Sequence, residues 1–172
     1  MTYISDHKFY NRFITSDLHL GHRKLAELRG FRDEFHFWEE FKLAWNSVVQ
    51  EHNVGYILGD VVMYKSWLDK LTELNGTKRI VIGNHDIFWT DYLTMPRVKA
   101  NAMEIYPKQG LVLTHIPVHE SYFSFNKAKW RNMHGHMHSC TLPSKKYINV
   151  CIEQIGLKPV KLSNLLNYTP VD

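Results

Sequence analysis

The sequence predicts an α/β fold with its chemistry on loops at the carboxyl ends of strands, and three observations carry that expectation. Apolar runs of strand length alternate with helical stretches, no repeat or low-complexity tract interrupts them, and Asp, Asn and His recur just past the ends of the apolar runs. Strand ends in an α/β sheet deliver side chains to one edge, where loops close over a ligand.

In chain order, a strand is expected from Tyr10 to Thr15, then a polar segment from Arg23 to Asp33. Trp38, Phe41, Trp45, Val48 and Val49 recur at three- and four-residue steps. That period predicts a helix that buries this stripe, its tryptophans read as core, and leaves Glu39, Glu40 and Lys42 largely towards water. Val54 to Leu58 reads as a buried strand ending at Asp60, Trp67 to Leu74 as a helix, and Arg79 to Ile82 as a strand ending at Asn84. The second half is richer in strand, with Leu111 to Thr114, Trp130 to Met133 and Tyr147 to Cys151, and Leu162 to Leu166 forms a short closing helix.

The 172 residues suit a single domain, residues 1–172, and 44% hydrophobic with 22% charged residues can build a proper core. Cys140 and Cys151 form neither a secreted-type disulfide framework nor a C-x-x-C motif, so free thiols are expected. The N-terminus lacks a basic region followed by an apolar stretch, and nowhere do about 18 apolar residues run together. A soluble, cytoplasmic protein with no membrane partner is the expectation.

Five short pieces decide the functional reading: Ser16-Asp17-Leu18-His19, Gly59-Asp60, Gly83-Asn84-His85-Asp86, Thr114-His115 and Gly135-His136-Met137-His138. Together they read as the ligand set of a two-metal centre. A pair of divalent ions about 3.5–4 Å apart takes hard oxygen and imidazole ligands, with one carboxylate bridging both. Asp60 is the candidate bridge. Asp17 and His19 stand two apart at the end of an apolar run, and strand periodicity would aim both at one face. His136 and His138 repeat that spacing, Asn84 offers a neutral amide oxygen, and His85 would lie near the open side, where a proton donor is needed. Buried Asp and His in five separate segments are costly unless paired or metallated, which argues against accident.

These pieces, in the order D-x-H, G-D, G-N-H-[DE], H and G-H-x-H, resemble the calcineurin-like metallophosphoesterases over roughly Phe13 to Glu153. Asp17-Leu18-His19-Leu20-Gly21-His22, Trp45-Asn46, Leu58-Gly59-Asp60 and Asn149-Val150 look closest to the small single-domain members of bacteria and their phages. The resemblance implies a β-sandwich flanked by α-helices. It also implies that Asp17, His19, Asp60 and His138 hold one ion, that Asp60, Asn84, His115 and His136 hold the other, and that His85 is the general acid. Two divalent ions, offset by Asp17, Asp60 and a bridging hydroxide, leave about +1 for a phosphate anion. The implied reaction is in-line attack by that hydroxide on a phosphodiester or phosphomonoester, with no covalent phosphoenzyme.

The chain departs from the protein-phosphatase branch, whose second motif reads G-D-x-x-D-R-G, because Gly59-Asp60-Val61-Val62-Met63-Tyr64 lacks both helpers. That disfavours a protein phosphatase and leaves open whether Asp86, His22 or a backbone carbonyl orients His85. His7, His36 and His52 belong to no motif, while His22, His119 and His134 lie beside motif residues and are read either as structural or as supporting the ligands or meeting substrate; His22 is the best candidate of the three for that role, which Asp86 shares.

A net charge of +4 and a pI near 9.0 favour anionic partners without indicating long nucleic acid. Residues 122–131 mix aromatics with cations, so that aromatic rings could stack on a base while Lys127 or Arg131 meets phosphate; a helix or strand edge whose aromatics enter the core and whose cations face water has the same composition and is slightly favoured. The expected substrate is a small phosphate ester, with a nucleotide as one candidate. The alternatives are a nuclease on short single strands and a non-catalytic scaffold that kept the fold. Manganese is the expected metal, and Fe, Zn, Ni or Co suit the same ligands. Oligomeric state leaves no mark in the sequence.

Overall fold

The computed structural model describes Phe9, residues 11–123 and residues 130–166. β1 (Phe13–Thr15), β2 (Val54–Ile57), β3 (Thr77–Val81) and β4 (Val98–Asn101) run parallel. β9 (Val160–Lys161) joins antiparallel to β1, giving a sheet ordered β4-β3-β2-β1-β9. A second sheet, ordered β5-β6-β7-β8, contains β5 (Glu104–Tyr106), β6 (Leu111–Leu113), β7 (Arg131–His134) and β8 (Tyr147–Asn149). There β5 alone is antiparallel.

The two sheets face each other through the apolar side chains on their facing surfaces. Ile14, Tyr56, Leu58 and Val81 meet Leu111, Leu113 and Met133 between the sheets. Alternate residues Phe13, Ile57 and Ile80 face the opposite way, into a layer of helices.

That layer is led by α2 (Glu34–Asn46), whose N-cap Asp33 accepts from the backbone N–H of His36 at 2.7 Å. It buries Phe37, Trp38, Phe41 and Trp45. The segment Lys65–Glu73 is a 3-10 helix rather than the α-helix expected; its buried Leu68 and Leu71, with Leu74 beyond, fall three apart, the period of the tighter helix. The polar segment after β1 contains a helix, α1 (Arg23–Leu28), which buries only Ala26 and so carries no apolar period. Three short α-helices, α3 (Trp89–Tyr92), α4 (Ile152–Ile155) and α5 (Leu162–Leu166), and two 3-10 turns, Pro107–Gln109 and Glu120–Tyr122, are the other helical segments among the described residues. Tyr10, the expected start of the first strand, lies outside the described residues. Among the described residues no helix is long and apolar enough to cross a membrane.

Candidate metal centre

The five pieces converge at one edge of the sandwich, past the ends of β1, β2, β3, β6 and β7. They do so on loops, and the expected strand periodicity of Asp17 and His19 is corrected here. Ser16 still bridges to Cys151, but Asp17 and His19 then take φ of 60° and 49°. Of the six non-glycine residues with positive φ among the described residues, five are predicted ligands: Asp17, His19, Asp60, His136 and His138. That conformation is costly for a residue with a Cβ, and such strain gathers where a site demands it.

Backbone hydrogen bonds knit the loops together. Asp17 N–H donates to Gly59 O at 3.1 Å, His19 N–H to Asp60 O at 2.8 Å, and Gly135 N–H to His115 O at 2.9 Å. The glycines serve close approach: a Cβ at Gly83 would overlap the Asp60 carboxylate, and one at Gly135 would overlap Ser16 Oγ and Asp17 Oδ2. Hence G-D and G-N-H-D are read together in space.

Each buried carboxylate is divided between support and centre. Asp17 Oδ2 accepts from Ser16 Oγ at 2.5 Å, from His136 N–H at 2.9 Å and from Cys151 Sγ at 3.1 Å. Burial would push the Asp17 carboxyl up, yet the neighbouring His19 imidazole and the hydrogen bonds from Ser16 and Cys151 outweigh it and hold the group well below the usual range. Burial and the neighbouring carboxylate push the Cys151 thiol up, so it stays a protonated donor. Asp60 Oδ1 accepts from His85 N–H at 2.9 Å and faces His115 Nε2 at 3.4 Å, while Oδ2 faces His19 Nε2 at 3.6 Å. The Asp60 carboxyl is also lowered: burial raises it, but His115 and the His85 N–H more than compensate.

Three histidines are oriented alike. His115 Nδ1 donates to Leu58 O at 2.7 Å, His138 Nδ1 to Glu153 Oε1 at 2.9 Å, and His19 Nδ1 lies 3.3 Å from Met63 Sδ. With the proton on Nδ1, each Nε2 lone pair points at the carboxylates, as outer hydrogen bonds arrange for metal-binding imidazoles. Asn84 Oδ1 completes the rim, 2.9 Å from His115 Nε2 and 3.0 Å from His136 Nδ1.

Asp17 Oδ1 and His19 Nε2 are buried and have no hydrogen-bond partner among the described residues. They stand 3.8 Å apart, and His138 Nε2 is likewise 3.8 Å from Asp17 Oδ1. Such orphans are rare in native interiors, and the spacing is too long for hydrogen bonds but suits atoms sharing an ion. Among the described residues two groups bring three donor atoms within 4.8 Å of one another, Asp17–His19–His138 and Asp17–Asp60–His115. The donor set therefore fits divalent metal.

The remaining expected residues fare differently. His85 is exposed, with its ring 5.6 Å from that of His19. Asp86 is not placed for substrate or for orienting His85: Oδ2 accepts from the N–H groups of Asp60 and Gly83, and Oδ1 from Val61 N–H and Tyr92 Oη, all at 2.8–2.9 Å. It is a buried clamp on two ligand loops. His22 caps α1 through Nδ1, accepting from Leu25 N–H at 3.2 Å, with its ring 6.3 Å from that of His19. Arg131 begins β7, three residues from His134, and its guanidinium donates to Leu166 O at 3.1 Å rather than facing the ligands. Lys127 lies outside the described residues. His134 is buried, with Nδ1 2.9 Å from Gly135 O, and His119 caps a 3-10 turn through Ser121 N–H. Both cysteines are free thiols.

Two residues escaped the sequence reading, Glu153 and Arg29. Arg29 donates to Glu153 Oε1 at 2.6 and 3.0 Å, to Asp17 O at 2.7 Å and to Leu18 O at 3.0 Å. Only their separation of 124 positions hid them; no local spacing signals such a pair.

The fold and this edge define a metal-binding phosphoesterase architecture, and the chain belongs to the calcineurin-like phosphoesterase family, whose model matches residues 12–169. It is 29% identical over 163 residues to the uncharacterized protein MJ1445 of Methanocaldococcus jannaschii, covering 87% of this chain and 86% of that one. Gene 66 protein of Mycobacterium phage L5 is 26% identical over 182 residues, covering 85% and 88%, and that of phage D29 is 28% identical over 176 residues, covering 83% and 88%. The crystal structure of a protein of unknown function, AQ665 from Aquifex aeolicus, shares the fold with a TM-score of 0.69, at 20% identity over 90% of this chain and 96% of that one.

Proposed function

We propose that the protein hydrolyses a small phosphate ester at a two-ion centre, with His85 as proton donor. The observation that carries this reading is the pair of buried, unpartnered atoms Asp17 Oδ1 and His19 Nε2, facing each other inside a ring of imidazoles and carboxylates. Asp17, His19, Asp60 and His138 would hold one ion and Asp60, Asn84, His115 and His136 the other, since Asp60 turns one oxygen towards each group. Divalent ions, when bound, acidify water and neutralise charge on phosphate oxygens.

This chain's own residues supply the rest. Asp17 and Asp60, held ionised by their hydrogen bonds, leave the loaded centre with a net positive charge that attracts a phosphate anion. His85 is anchored by its backbone N–H on Asp60 while its ring stays exposed at the rim, where it can give a proton to the departing oxygen. A diester is favoured over a phosphoprotein by the absence of the second Asp and Arg of the protein-phosphatase motif.

The test is turnover of bis-p-nitrophenyl phosphate and p-nitrophenyl phosphate by protein stripped and reloaded with Mn, Fe, Zn, Ni, Co or Mg. Manganese-stimulated hydrolysis is expected, with kcat falling by about 10²–10⁴ in His85→Ala. A folded protein that binds no divalent ion, or that hydrolyses neither ester with any of them, overturns the reading.

A further inference from the structure

Beside the centre, on the Asn84–His115 side, lies a cleft of about 340 Å³ that the reading above does not use. Its volume falls in the range of small-ligand sites. It opens where the ends of β3, β4 and β6 meet at the seam of the two sheets, and Gly83, Asn84 and His115 belong to both cleft and centre.

Its chemistry differs from that of the centre. Ile82, Ala102, Met103, Ile116 and Val118 supply the rest of the lining with Thr114, and among the described residues no Lys, Arg, Asp or Glu contributes to it. Met103 and Ile116 leave 47% and 49% of their surface in water, an apolar cost that a ligand would relieve.

Both walls are fixed before any ligand arrives. Buried Asn132 donates to Thr114 Oγ1 at 2.9 Å and accepts from Val118 N–H at 3.0 Å, and Tyr147 Oη donates to Val118 O at 2.9 Å. Opposite, residues 102 and 103 link β4 to β5, and Asn101 Nδ2 pins that link by donating to Glu104 Oε1 at 3.1 Å. A rigid apolar slot costs little entropy to fill.

We propose that this cleft seats an uncharged ring carried by the phosphate ester, so that the substrate class is an ester of phosphate with a nucleoside or aryl group. A second phosphate or a polyanionic strand continuing on this side would meet apolar walls with no cation. The proposal rests on the reading of the adjoining centre as a phosphate site.

Calorimetric binding to the metal-loaded protein tests it, using methylphosphonate, phenylphosphonate and a nucleoside 5′-phosphonate, which share a charged head. At least one ring-bearing phosphonate is expected to bind roughly tenfold or more tighter than methylphosphonate. Met103→Asp and Ile116→Asp, both at exposed positions, are each expected to erase that preference. A stronger nucleoside ligand assigns the slot to a nucleobase, and a stronger phenyl ligand assigns it to an aryl ester. Equal affinity for all three in the wild type, or a preference unmoved by both variants, overturns the proposal while leaving the phosphate site standing. Failure of every phosphonate to bind overturns both.

Discussion

His138 Nδ1 lies 2.9 Å from Glu153 Oε1, and the same oxygen accepts two hydrogen bonds from Arg29. Burial alone would raise the Glu153 carboxyl; the His138 bond and the Arg29 charge outweigh it and bring it down to about 2. The charged carboxylate in turn raises the His138 imidazole and fixes the proton on Nδ1. Arg29 also holds the carbonyls of Asp17 and Leu18, so one ion pair ties a ligand from each end of the chain. Glu153→Gln should therefore weaken metal binding by about 10–100-fold, read by calorimetry on the stripped protein. An unchanged affinity would mean that His138 needs no external support.

Asp17 Oδ1 has no hydrogen-bond partner among the described residues, so metal should stabilise the fold by mass action. At a free ion concentration of about 100 Kd the linkage contributes about 2.7 kcal/mol. Melting temperature is expected to climb with added manganese in the wild type and to stay nearly flat in Asp17→Asn. A variant whose melting temperature responds as strongly as the wild type would remove Asp17 from the ligand set.

The sequence exposed the centre better than its surroundings. Trp38, Phe41 and Trp45 revealed α2 because a one-sided stripe leaves a period, and the apolar residues running up to Asp60 and Asn84 revealed β2 and β3, although β3 also carries Lys78 and Arg79. β4 left no such trace: Val98 is its only buried residue, and the strand forms at the sheet edge by pairing with β3. The ligand motifs were legible as residue types, but the reason for their convergence was not. A period of two was the wrong device for Asp17 and His19, which turn inward through left-handed backbone instead. The role of Asp86 could not be read either, because its partners are backbone N–H groups, which every sequence contains.

Lys78 gives the fold a pH dependence away from the centre. It is buried, its ammonium donating to Leu74 O at 2.7 Å and Gly76 O at 3.1 Å, and burial, followed by the charge of Arg97, lowers its pKa to about 8. Between that value and about 10.4 in the unfolded chain, the unfolded state binds more protons, so stability rises with pH. The slope is at most about 1.4 kcal/mol per pH unit, and it vanishes below the folded pKa, where both states are protonated. Urea midpoints at about pH 7.5 and about pH 10, wild type against Lys78→Met, isolate this contribution because other titrating groups cancel. A difference between the two proteins that does not change with pH would show that Lys78 keeps its ordinary pKa in the fold.

Asp86 and Tyr92 separate the clamp from the chemistry. Tyr92 Oη donates to Asp86 Oδ1 at 2.8 Å, and burial, then the Asp86 charge, raises the phenol so that it remains a donor. Tyr92→Phe removes one of four hydrogen bonds and leaves three backbone donors in place, so a loss of about 1–2 kcal/mol with metal affinity retained is expected. Asp86→Ala strips the buried N–H groups of Asp60, Val61 and Gly83 of their acceptor at once, a loss of about 3 kcal/mol or more. Because those N–H groups position the loops bearing Asp60, Asn84 and His85, Asp86→Ala should also weaken metal binding and lower kcat. Chemical denaturation beside metal titration checks both variants. Equal losses of stability with unchanged metal affinity in both would mean that the loops hold their shape without the clamp.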